Sequence, residues 1–141
     1  MRNHLRSHRR CGASVVEAAI VYPAVFVLIL ALVSGGMGVF RYQEVASLAR
    51  EGSRYAATHG SQYAQETGKS AASAQDVYNK AILPKVVGLD TTKLSSSVTW
   101  NANNQPPNST VTVTVTYQWK PEVFLLGTFT LSSTSTMPMS Y

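Results

Sequence analysis

Glu17 stands at the head of an apolar run, Ala18 to Phe40, that contains no Asp, Glu, Lys or Arg. Gly12 precedes it, with only Ala13, Ser14, Val15 and Val16 between. That spacing suits two linked pieces of chemistry. A peptidase cutting after Gly12 would give Ala13 a free α-amino group, with Glu17 about one helical turn further along. Glycine ahead of the cut lets an extended backbone enter an active site closely. A carboxylate held in apolar surroundings is very costly unless it is paired. The new ammonium of an incoming copy would remove that cost, and only at the correct axial stagger. The same residues also suit a plain signal anchor, in which Glu17 marks the membrane edge and reaches water.

The other titratable residues offer little. Of three histidines, His4 and His8 lie in an arginine-rich leader and His59 in a loop. His4 and His8 have helical spacing for a shared metal, but no carboxylate or useful cysteine joins them, and no metal site is expected. Glu44, Glu51, Glu66, Asp76, Asp90 and Glu122 are scattered over helix faces, caps and turns as solvated charges. No glycine-rich phosphate loop, nucleophile elbow or zinc spacing is present, so neither an enzyme nor a cofactor is expected. Cys11 is the single cysteine, which excludes an internal disulfide. Asn108-Ser109-Thr110 fits a glycosylation triplet, but beside Pro106-Pro107 it reads better as a turn.

The elements that would position Glu17 begin with the run itself. About twenty apolar residues cross a bilayer. Its Ile, Val, Leu and Phe side chains contribute about −4 to −7 kcal/mol to insertion, against roughly 2.5–3.5 kcal/mol for one acidic group. The run therefore inserts even with Glu17 drawn partly in. The net charge of +5 arises mostly from Arg2, Arg6, Arg9 and Arg10, and no acid lies among residues 1–12. The remaining charges are interleaved, so nucleic acid is not an expected partner. The basic leader stays cytoplasmic and places the rest of the chain beyond the membrane.

Tyr42, Val45, Leu48, Ala49, Gly52, Tyr55 and Ala56 continue at helical spacing, opposite Arg50, Glu51 and Arg54, with Glu51 and Arg54 close enough to pair. Together with the run they predict one helix of roughly forty residues, on the order of 60 Å long. Pro23 should kink it. Gly35, Gly36 and Gly38 mark either close helix packing or a place where the helix extends during assembly. Thr58 to Ser70 reads as loop. Ser73 and Asp76 form a capping box for a short helix that Pro84 stops. Three strands follow: Leu94 to Trp100, Val111 to Trp119 and Thr128 to Met137. In the second, Val111, Val113, Val115, Tyr117 and Trp119 alternate with threonines, giving one buried and one wet face.

Residues Gly12 to Pro23, together with Ala49 to Ala57, resemble the two recurrent blocks of the TadE-like proteins, the minor pilins or pseudopilins of Tad-type pili. The segment from Ser132 to Tyr141 is similar to the way many members close their last strand. One position departs from the pattern: Ala18 follows Glu17, where members usually carry an aromatic residue. The resemblance implies cleavage between Gly12 and Ala13 by a prepilin peptidase and a role for Glu17 in subunit register. It also implies partnership with other pilin and pseudopilin subunits and with an assembly platform in the bacterial inner membrane, and incorporation into a pilus.

The resulting expectation is an α+β protein. Residues 1–12 are a basic leader, 13–58 a long helix whose part 18–40 spans the membrane, 59–72 a linker, and 73–141 a small extracytoplasmic domain. In that domain a short second helix packs on a three-stranded antiparallel sheet. The competing expectation is an uncleaved, membrane-anchored scaffold that uses its sheet for docking.

Overall fold

A computed structural model describes residues 10–101, 109–121 and 127–140. The leader through Arg9, with His4 and His8, lies outside the described residues, as do Asn108, Glu122 and Tyr141. The chain divides into two units between Met37 and Gly38, and one helix, α1 (Arg10–Thr58), contributes to both. The architecture is the expected α+β class: a long N-terminal helix, short helices and a three-stranded antiparallel sheet.

In the first unit, α1 passes through Pro23 without interruption. Proline has no N–H, so the carbonyl of Ala19 lacks its usual helical donor. The side chains here are apolar on every face and exposed, with Ile20, Tyr22, Phe26 and Leu32 between 62% and 72% accessible. Each gains about 1.5–3 kcal/mol when removed from water, so a row this long calls for lipid or other helices. This is a helix long and apolar enough to cross a membrane.

The second unit is built on the remainder of α1. Val45, Leu48, Ala49, Gly52, Ser53, Ala56 and Ala57 are buried along one stripe, with Arg50 and Arg54 exposed opposite. The stripe packs where β1 (Leu94–Trp100), β2 (Thr110–Trp119) and β3 (Phe129–Pro138) form a sheet in the order β1-β2-β3. In β2 the strict alternation appears as expected, with Val111, Val113, Val115 and Tyr117 almost fully buried. Its other face carries threonines that bond across to β3, Thr112 to Thr136 and Thr114 to Thr134, each at 2.9 Å. Register follows from this inward set: Val113 pairs with Val98 on one side and Ser135 on the other. The Ser135 hydroxyl meets that of Ser53 at 2.8 Å, joining helix to sheet. At the chain's end, the N–H of Ser140 donates to the carbonyl of Ala57, one of the acceptors a helix C-terminus leaves free.

The segment composition suggests as loop holds a seven-residue helix, α2 (Ser61–Thr67), ended by Gly68 at φ 68°. Stacking explains it: the His59 ring lies 4.0 Å from Tyr55 and 4.6 Å from Tyr63, which carries an aromatic column from α1 into α2. The capping box forms as expected at the start of α3 (Ala74–Val77), where the Ser73 hydroxyl accepts from the Asp76 N–H. Beyond it the helix widens into a π turn at Tyr78–Ile82 and tightens into a 3₁₀ turn at Leu83–Lys85. Pro84 thus sits inside the last turn instead of before it. Widening the preceding turn moves away the carbonyl that a proline ring would strike. Glu51 pairs with Lys85 at 2.8 Å, where sequence spacing points to Arg54. Only the fold brings that lysine near.

Two glycines have packing roles. A Cβ on Gly52 would lie 3.1 Å from Val113 and 3.3 Å from Ile82, and one on Gly38 would meet the Trp119 ring at 2.8 Å. Gly35 and Gly36 face open space. Gly52→Leu should therefore lower the unfolding free energy by about 1–3 kcal/mol through overpacking. Leu48→Ala, at a position only 2% exposed, should lower it by about 2–5 kcal/mol. Tryptophan fluorescence during denaturant unfolding of the detergent-solubilised chain measures both.

Candidate functional site

Gly12, Ala13, Glu17 and Pro23 all fall on the first unit's part of α1. The Gly12–Ala13 bond lies in helical backbone of α1, where the sequence suggests an extended one. Glycine weakens the helix here by about 0.8–1 kcal/mol relative to alanine. Opening it into an extended form is correspondingly cheap. Gly12 is exposed, with nothing near the place of a Cβ.

Glu17 is exposed, and nothing among the described residues pairs with its carboxylate. Its neighbours Val15, Val16, Ile20 and Val21 are apolar and exposed. Helical side chains lean toward the N-terminus, so this carboxylate lies back over the turn that starts at Ala13. As it stands, α1 has no acidic residue in its first turn. A chain starting at Ala13 would bring Glu17 close to the positive end of the helix dipole, a placement worth about 0.3–1 kcal/mol to a carboxylate. Among the described residues, then, Glu17 is a carboxylate without a partner in an apolar row.

The second unit offers clefts instead of reactive groups. One of about 410 Å³ is lined by Tyr55, His59, Tyr63, Lys69, Asp76 and Lys80. Asp76, Lys80 and His59 in it are held by bonds to their neighbours. Asp76 takes the Lys80 ammonium at 2.7 Å and the Ser73 hydroxyl at 2.6 Å, while Nδ1 of His59 contacts the Tyr55 carbonyl and the Thr58 hydroxyl. No group of three or more metal-ligating side chains occurs among the described residues. The residues that sequence reasoning passed over are Arg41 and Trp119. Arg41 lies 5.9 Å from the Trp119 ring centroid and donates to the Tyr117 hydroxyl at 3.3 Å. Gly38 was the only signal for this contact, as one of three glycines that the sequence does not tell apart.

Charges around this cleft follow from those bonds. The Lys80 ammonium, then the Ser73 hydroxyl and N–H, hold the Asp76 carboxyl well below the usual carboxylate range, and Asp76 in turn raises Lys80. A second pair behaves alike, with Lys85 lowering Glu51. A lowered carboxyl stabilises the fold above its unfolded pKa, and the effect fades as pH falls through the folded value. Lys80 contributes below its ordinary pKa and stops only as pH rises through its raised value. Ser73→Ala should therefore cost about 1 kcal/mol at neutral pH. The part that depends on the Asp76 carboxylate should fade as pH falls through its lowered folded value, while the part from the Asp76 N–H bond to Ser73 persists, as read from unfolding midpoints across pH.

No curated protein and no solved structure matches the chain. The family model described as TadE-like protein matches residues 12–54, from Gly12 through Glu17 and Pro23 to Arg54. Over the segment that carries Glu17 and most of the buried stripe of α1, this chain is similar to the TadE-like proteins.

Proposed function

We propose that the chain is a minor pilin or pseudopilin of a Tad-type pilus, a structural subunit and not an enzyme. The TadE-like match supports a pilin-like role, and the long apolar helix supports anchoring in a membrane. The observation that carries the finer reading is Glu17: a carboxylate with no partner among the described residues, five residues beyond Gly12 in an exposed apolar helix.

In this reading a prepilin peptidase opens the helix and cuts between Gly12 and Ala13. The basic leader holds that bond at the cytoplasmic face of the inner membrane, and the second unit lies outside. The free ammonium of one subunit then meets Glu17 of another as their apolar helices pack together. Both charges are costly in hydrocarbon when single and tolerable when joined. Helices out of register leave both unpaired, so the pair selects the stagger at which subunits enter. Other pilins and the assembly platform are the partners, and the exposed rows around Ile20 and Phe26 are the contact surface.

Glu17→Ala is the direct probe. A charge-assisted hydrogen bond is worth about 1.5–3 kcal/mol. Its loss should reduce assembled pili on the order of ten- to a hundredfold, with the protein still present in the membrane. Glu17→Asp should restore part of that loss. An uncleaved scaffold predicts instead that pili are made normally with alanine at this position. Electron-microscopic pilus counts alongside membrane immunoblots separate the two.

A further inference from the structure

The last residues of the apolar run, Gly38, Val39 and Phe40, belong to the second unit, and Arg41 is the first charge after them. A run that spans a bilayer ends at the headgroups, so these residues mark that depth. The Trp119 ring packs against bare Gly38, at the position where a Cβ would be 2.8 Å away, and takes the Arg41 guanidinium over its face. The end of β2 is thus held against the residues that close the apolar run, with the Trp119 ring largely buried there.

A cleft of about 450 Å³ opens beside this ring, lined by Arg41, Asp90, Lys93, Tyr117, Trp119 and Lys120. Three of these are cations. Asp90 already accepts from the N–H and hydroxyl of Thr92, and it meets Lys93 at a loose 3.4 Å. Lys93 is half exposed and Lys120 exposed. Large apolar side chains are also exposed around the cleft. Phe40 is 71% accessible, Val87 beside lining residue Gly88 is 74%, and Phe129 lies 6.1 Å from the Trp119 ring. Water is a poor solvent for such a rim, whereas the interface of a bilayer suits both the rim and the cations.

We propose that the cleft beside Trp119, Lys93 and Lys120 holds the headgroup phosphate of an anionic phospholipid, laying this end of the sheet on the membrane. The lysines supply the charge, and the largely buried Trp119 ring, with Arg41 over its face, forms a wall of the cleft. This rests on the membrane-anchor part of the reading above and not on cleavage, so it stands or falls separately from the pilus result.

The test uses the full chain carrying Trp100→Phe, which leaves Trp119 as its only tryptophan, in nanodiscs of phosphatidylcholine with or without phosphatidylglycerol. Lipids brominated high on the acyl chain should quench Trp119 more than lipids brominated near its end. Mass spectrometry of the released chain should find phosphatidylglycerol retained in preference to phosphatidylcholine. Lys93→Gln with Lys120→Gln should weaken that preference roughly twenty-five-fold, each lysine near an anionic surface being worth roughly fivefold. Circular dichroism should be unchanged. Equal retention of both lipids, or no quenching at either depth, would overturn the proposal. Displacement of phosphatidylglycerol by inorganic phosphate alone would overturn it as well, in favour of a free-anion site.

Discussion

A strip of small side chains on α1, from Ala49 through Gly52 and Ser53 to Ala56 and Ala57, lets the helix come close to the inner face of the sheet. The contact at Gly52 leaves no room for more than a hydrogen beside Val113 and Ile82. Everything else in the second unit is arranged around that approach. The inward valines of β2 fill the space, Val77 of α3 and Ile82 of the π turn after it complete the core, and the Ser53–Ser135 bond ties the buried Ser53 to the sheet. A sheet of three strands has little core of its own. It is the helix that makes this one a folded unit.

That same helix is bound to a different solvent in its first half. There it carries exposed apolar side chains on all sides and a single carboxylate at their head. A helix interior to a soluble protein would bury these residues, and here none of the apolar window is buried. On the proposed reading, lipid and other helices take up the apolar rows, and a cation of a neighbouring subunit pairs with Glu17, which has no partner among the described residues. Assembly read this way is a consequence of solvation.

How much of this was legible in the sequence depended on the range of the contacts. The alternation Val111 to Trp119 showed which face of the central strand is buried, because a period of two is a local property. The Ser73 capping box was equally local and formed as read. Composition missed α2, since its Gly, Ser, Gln and Thr content resembles a loop, and the Tyr55–His59–Tyr63 column that secures it bridges two helices. Lys85 as the partner of Glu51, and Trp119 against Gly38, join residues far apart in the chain, and no periodicity reports such pairs. The motif Gly12 to Glu17 was visible as spacing, while the helical state of its cleavage bond was not.

The central claim concerns the bond between Gly12 and Ala13. Its most direct test is the N-terminal mass of the native protein from cells with and without their prepilin peptidase. The account predicts a chain that starts at Ala13 when the peptidase is present and keeps its leader when it is absent. A chain that retains its leader through Gly12 in both strains would contradict it. The apolar helix would then be a plain anchor.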